Sequence, residues 1–361
     1  MILNSYAVLA LFVALVELVL GAIVVVTSVR ALRRSAPGED DADSTRDSRN
    51  TSLFLLAFTL LGTSVASWPL LYLLLQSFVP EWEGVMCIQG VTRVGTGSEG
   101  AAGLLPALVQ ALEITKPALV FATGAWLVVH LANRRTRTAP LAGRALAILL
   151  VVGALAAVDA CAELAYVAIP KKERFLADGC CTTPTAAMLG SAASDGRAPL
   201  GLPGTRRGWV VGTFYALAGA VVLGARALSK GPPARGGPAV DGSVDDDAGR
   251  RGGFAWLGVG VVASVPAAVV FLSEVAAPAF LHLPAHRCAY CLLSDSPWGV
   301  VTAALFAAGV FSTGWAVVAH ALARTPETAA TLPTQRRRLL RVGALGYVGA
   351  LAAVTIGLVL A

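Results

Sequence analysis

The sequence predicts an all-α integral membrane protein. Eight transmembrane helices form two parallel four-helix repeats, with both termini extracytoplasmic. Three observations carry this expectation. Apolar residues make up 56% of the chain and charged residues 14%, against about 45–50% and about 25% in ordinary soluble domains. The apolar residues fall in runs of about 20 or more, enough to cross the hydrocarbon core. Basic residues concentrate in alternate loops, the asymmetry that sets orientation. A mean hydropathy of +0.70 speaks against a disordered chain and against a water-soluble enzyme.

In chain order the runs are Tyr6–Ser28, Ser52–Val79, Leu104–Leu131, Leu146–Ile169, Gly208–Leu228, Gly253–Leu272, Trp298–His320 and Val342–Ala361. Each is apolar on all sides. With no water to satisfy the backbone, each must be a helix. Barrel strands would alternate apolar and polar residues, and these runs do not. The first run has no basic segment before it and no small-residue cleavage site after it. It is therefore expected to remain as a span and not to be removed as a signal peptide.

The loops 30–50, 133–144, 229–252 and 324–341 hold most of the arginines and lysines, such as Arg30, Arg134, Arg250 and Arg336. These loops are assigned to the cytoplasm, which puts both termini outside, and the expected location is the inner membrane. The opposite loops are poorer in basic residues, except the long loop 170–207, which is kept outside because long loops obey the rule less strictly. Trp82, Trp209 and Trp298 fall at outer helix ends, as interfacial anchors should. The net charge of +6 then reflects inner-loop anchoring. No basic patch is interleaved with aromatics, so a nucleic-acid partner is not expected. The expected partners are the lipid bilayer and a membrane or extracytoplasmic protein.

Residues 1–207 and 208–361 read as two copies of one unit. Phe121-Ala-Thr-Gly124 through His130 matches Phe311-Ser-Thr-Gly314 through His320. The heptapeptide Val152–Val158 recurs as Val348–Val354, and Arg30-Ala-Leu recurs at Arg226. Pro80 precedes Cys87 by the same spacing as Pro284 precedes Cys291. Four helices per copy make the copies parallel, related by an axis along the membrane normal. The inward loops 36–48 and 230–252, with Asp245–Asp247, are polar linkers. They hold no phosphate loop, and the glycine-rich segment Val94–Gly100 follows a membrane helix, not a strand. Neither an ATPase nor a dinucleotide site is expected.

The chemistry concentrates in the outward loops. Cys87, Cys180, Cys181, Cys288 and Cys291 all fall there, where disulfides are permitted. His282-x3-His286-x-Cys288-x2-Cys291 gathers two imidazoles and two thiols in ten residues. That donor set suits copper or zinc. Cys87, Cys180 and Cys181 are candidate accessory or redox thiols. A second reading is thiol–disulfide exchange, with Cys180-Cys181 as the second pair. A cysteine pair at the outer end of a four-helix membrane unit resembles the arrangement in quinone-linked disulfide-forming proteins and vitamin K epoxide reductases. The resemblance is confined to that pair and implies a quinone-linked oxidoreductase. A third reading is a non-catalytic membrane subunit whose cysteines staple loops.

Ionisable groups in a bilayer are functional candidates. Glu17, Glu113, Lys116, Asp159 and Glu163 lie within spans of the first half. Asp159 and Glu163, four apart, share a helix face, and Lys116 is expected to pair with Glu113, Asp159 or Glu163. The group reads either as a cation or proton path or as a closed ion-pair network. Their repeat partners are mostly neutral: Tyr215, Thr355 and Val359. His130 and His320 lie beside Arg134 and Arg324 at inner helix ends, and Leu292 after Cys291 breaks a haem-attachment motif, so haem is not expected. The overall expectation is an inner-membrane protein that binds, delivers or transports a thiophilic transition metal at its outer face.

Overall fold

A computed structural model describes residues 4–34, 43–82, 85, 87–94, 100–136, 138–169, 205–230, 244–283, 286–323, 325–328 and 331–361. Cys180, Cys181, most of the loop 170–207 and the segment 95–99 lie outside the described residues. All regular structure among the described residues is helical. The chain divides into two compact units, Met1–Cys180 and Cys181–Ala361.

The first unit comprises α1 (Ser5–Arg34), α2 (Asp43–Phe78), the short α3 (Ile88–Thr92), α4 (Leu105–Asn133) and α5 (Ala142–Ala168). The second comprises α6 (Thr205–Ser229), α7 (Val244–Phe271), α8 (Ala277–Phe280), α9 (Ala289–Asp295), α10 (Pro297–Leu322) and α11 (Leu332–Leu360). Eight helical segments are long and apolar enough to span a membrane, and they coincide with the eight apolar runs. Their outer surfaces carry large apolar side chains such as Phe12, Ile114, Leu223 and Val262, each more than half exposed. Such surfaces suit lipid, not water.

Each unit closes a ring of four long helices. In the first, α1 packs on α2, α2 on α4, α4 on α5 and α5 on α1. In the second, α6 packs on α7, α7 on α10, α10 on α11 and α11 on α6. Small residues permit the closest approaches, as expected where lipid supplies no hydrophobic drive between helices. A Cβ on Gly153 would stand 2.9 Å from the Gly21 carbonyl oxygen, so α1 and α5 touch backbone to backbone. A Cβ on Gly346 would stand 2.6 Å from the Gly309 nitrogen, which joins α11 to α10 in the same way.

Polar ties finish the ends. Asn4 accepts the Ala7 N–H at 2.8 Å and donates to Ser77 at 2.8 Å, capping α1 and fixing it to α2. The Asn133 side chain accepts the Leu141 N–H at 2.8 Å and closes the α4–α5 turn. An aromatic stack recurs in both units. His130 stacks on Trp126 and Phe54, with Arg134 over the Phe54 ring. His320 stacks on Phe254 at 4.0 Å, with Arg336 over the same ring and in contact with His320 Nδ1.

Several details differ from the sequence expectation. α2 starts at Asp43 and α7 at Val244, inside the loops 36–48 and 230–252 expected to be polar linkers. The last helix starts at Leu332, not Val342, because Pro333 opens a helical first turn and Arg336–Arg338 continue it. Charged residues hid that turn from a hydropathy reading. Trp209 and Trp298 are exposed at 73% and 37%, but Trp82 is 4% exposed and packs on Phe78. Trp82 is therefore a core residue and not an interfacial anchor.

Gly153→Leu should wedge α1 from α5 and lower stability by about 1–3 kcal/mol. The thermal midpoint of purified protein in detergent reads this, with Gly62→Leu, whose Cβ meets nothing within 4 Å, as the control.

Candidate functional site

The paired cysteines are placed by the end of the sixth span. That span leaves α-geometry at Leu272–Ala276, a single π-helical turn carrying Glu274. α8 then ends in a motif of defined hydrogen bonds. The Leu283 N–H reaches the Pro278 carbonyl at 3.2 Å and the His282 N–H reaches that of Ala279 at 3.1 Å, with His282 at φ 53°. This is a Schellman stop with His282 in the left-handed position that usually takes glycine. Arg287 then bonds back to Glu274 at 3.2 Å, which pins the next stretch of chain to the π turn.

Cys288 follows directly and caps α9, its Sγ accepting the Cys291 N–H at 3.4 Å. Cys288 and Cys291 are buried, and their sulfurs lie within 4.8 Å of one another. Two thiolates on one tetrahedral zinc, at about 2.3 Å each, are about 3.8 Å apart. The spacing therefore fits two ligands of a single soft ion. α9 is held in turn by α10. Ser296 accepts the Gly299 N–H and caps α10, and a Cβ on Gly299 would stand 2.5 Å from the Leu292 carbonyl oxygen. Only glycine allows the two helices to sit this close.

The other expected donors stand apart. His282 is exposed, and its backbone serves the helix stop. His286 is half-buried, and its Nε2 is a buried atom with no hydrogen-bond partner. Neither imidazole joins the two sulfurs within 4.8 Å. Cys87 is 8% exposed and immediately precedes α3 in the first unit, while Cys161 is exposed on α5. Among the described residues no two sulfurs stand at disulfide distance.

The charged residues of the first unit form one buried cluster. Lys116 Nζ contacts Glu163 Oε2 at 2.6 Å, Asp159 Oδ2 at 3.0 Å and Ser67 Oγ at 3.3 Å. Thr115 donates to Asp159 Oδ1. Ser64 Oγ lies 2.8 Å from Glu17 Oε1. Glu113, three residues before Lys116, is exposed on the helix surface, and the ion pairs of Lys116 go to α5. The hydroxyl partners Ser64, Ser67 and Thr115 are not evident from the sequence. The available signal was two serines, Ser64 and Ser67, about one turn apart near the middle of the second span. The second unit has neutral polar bonds between its long helices: Tyr215 with Thr355 at 2.7 Å, and Ser264 with Tyr347 at 2.8 Å.

No protein-family model, curated protein or solved structure matches this chain. The functional reading therefore rests on the residues themselves.

Lys116→Met should destabilise the protein by about 3–5 kcal/mol, because it leaves buried carboxyl groups without their cation. Chemical unfolding in mixed micelles measures this. His282→Gly should keep the fold and recover up to about 1–2 kcal/mol, the cost of a left-handed backbone for a side-chain-bearing residue. The same unfolding assay reads that gain.

Proposed function

We propose that this is a multi-pass protein of the cytoplasmic membrane that binds a thiophilic transition metal ion, copper or zinc, at its outer face and delivers or transports it. The observation that carries the reading is the pair of buried sulfurs of Cys288 and Cys291 within 4.8 Å of one another. Soft sulfur donors at this spacing select Cu(I) or zinc over magnesium or calcium. His286 is the next ligand, through the buried Nε2 that has no other partner. His282 is exposed and its backbone serves the helix stop. Cys87, Cys180 and Cys181 remain accessory thiols on sequence grounds alone.

The orientation follows from the distribution of basic residues, with Arg134, Arg226, Arg251 and Arg336 at inner helix ends. The two units are read as copies of one ancestral repeat. The same ring of neighbours, and the histidine–phenylalanine stacks of His130 on Phe54 and His320 on Phe254, support that reading.

Elemental mass spectrometry of protein purified without chelators should find near-stoichiometric copper or zinc. Cys288→Ser with Cys291→Ser should abolish it, His286→Ala should weaken binding about tenfold to a hundredfold, and His282→Gly should leave it intact. Full metal content in the double cysteine variant overturns the reading. A second reading has the same observation behind it, since sulfurs this close can also form a disulfide. A quinone-linked thiol–disulfide exchanger would show Cys288–Cys291 shifting between oxidised and reduced forms with the quinone pool, read by differential alkylation. A pair that stays in one form under all redox conditions excludes it.

A further inference from the structure

The cluster in the first unit has more acids than bases. Glu17, Asp159 and Glu163 are 0% exposed and Lys116 1% exposed. Fully ionised, the group would carry two uncompensated negative charges inside the bilayer. A buried carboxylate without a partner neutralises instead of staying charged. Two cations are therefore missing from the account.

Hydrogen counting shows where they belong. The three N–H bonds of Lys116 are taken by Ser67, Asp159 and Glu163. Asp159 has a donor on each oxygen, Lys116 on Oδ2 and Thr115 on Oδ1, which suits the ionised member. Ser64 has one hydroxyl hydrogen but two acceptor neighbours, the Leu60 carbonyl at 2.7 Å and Glu17 Oε1 at 2.8 Å. One hydrogen cannot serve both contacts. If Ser64 donates to Leu60, Glu17 must supply the second hydrogen as a protonated acid. Glu163 receives Lys116 on Oε2, while its Oε1 is buried with no partner, and so is Glu17 Oε2.

Glu17, Asp159 and Glu163 do not offer three oxygens within 4.8 Å of one another, so the cluster is not a site built from three carboxylates around one ion. We propose that this cluster is a proton-binding site that holds two protons at neutral pH, one on Glu17 and one on Glu163. Lys116 and Asp159 remain as the ion pair between them, and the cluster is then neutral. The ionisable groups facing Glu17 are Lys116, Asp159 and Glu163. Those facing Glu163 are Lys116 and Asp159. α2 contributes only the hydroxyls Ser64 and Ser67. The proposal does not depend on the cysteine site.

The test is infrared spectroscopy of the full chain in lipid nanodiscs at neutral pH. It reads the carbonyl band of protonated acids, which is separate from that of carboxylates. The wild type should show such a band. Glu17→Gln and Glu163→Gln should each remove part of it, and Asp159→Asn should remove none. Glutamine copies the size and neutrality of the protonated acid, so both variants should keep a thermal midpoint close to the wild type. Loss of no acid band in either variant overturns the proposal. So does failure of either variant to fold, because a neutral side chain is then not tolerated there. Loss of the wild-type band on addition of sodium or potassium, but not choline, would reassign the site to an alkali cation.

Discussion

The ammonium of Lys116 is the point on which the first unit is organised. It sits on α4, bonds to two carboxyl groups on α5 and to a serine on α2. Glu17 of α1 joins through Ser64 of α2. All four long helices of the unit thus meet in one polar knot surrounded by lipid-facing apolar surface. Removing water makes each of these bonds stronger and each unmet group more damaging. The ring of helices, the glycine contact at Gly21 and Gly153, and the burial of three acids follow from keeping that knot dry.

The second unit builds the same ring with neutral means. Ser264 bonds Tyr347, Tyr215 bonds Thr355, and Phe214 stacks on Phe271 at 4.3 Å. Glycines at 309, 343 and 346 bring α10 and α11 into backbone contact. Chemistry moves instead to the end of the sixth span, where the π turn at Glu274, the helix stop at His282 and the close approach at Gly299 fix Cys288 and Cys291. The buried lysine–carboxylate cluster belongs to the first unit and the Cys288–Cys291 pair to the second.

Length and composition made the eight spans readable from the sequence, because hydropathy depends on residue type and not on rotation. The Cys-x2-Cys pair was readable because its spacing is local. Rotation was not. A helix that is apolar on every side has no phase, so the sequence did not show that Glu113 faces outward while Lys116 faces α5. For the same reason it did not separate Trp82, buried on Phe78, from the exposed Trp209. The backbone role of His282 was also hidden, since histidine in a left-handed helix stop has no strong local signal. The serines and threonine around Lys116 were missed because single hydroxyls are common in membrane helices and gain meaning only from what faces them.

The intramembrane charges also bear on how the chain is made. α4 carries Lys116, and α5 carries Asp159 and Glu163. A charged residue at a helix centre adds about 2.5–3.5 kcal/mol to membrane insertion. Entering one at a time, each helix would bring that penalty unrelieved. Entering together, they neutralise one another, and the Asn133–Leu141 bond keeps the connection short enough for a hairpin. α1 is synthesised before both, and until they arrive Glu17 meets only the Ser64 hydroxyl of α2. Until α5 arrives, the nascent first half displays a polar face that the quality-control proteases of a membrane can recognise, so the knot that stabilises the finished unit also times its assembly.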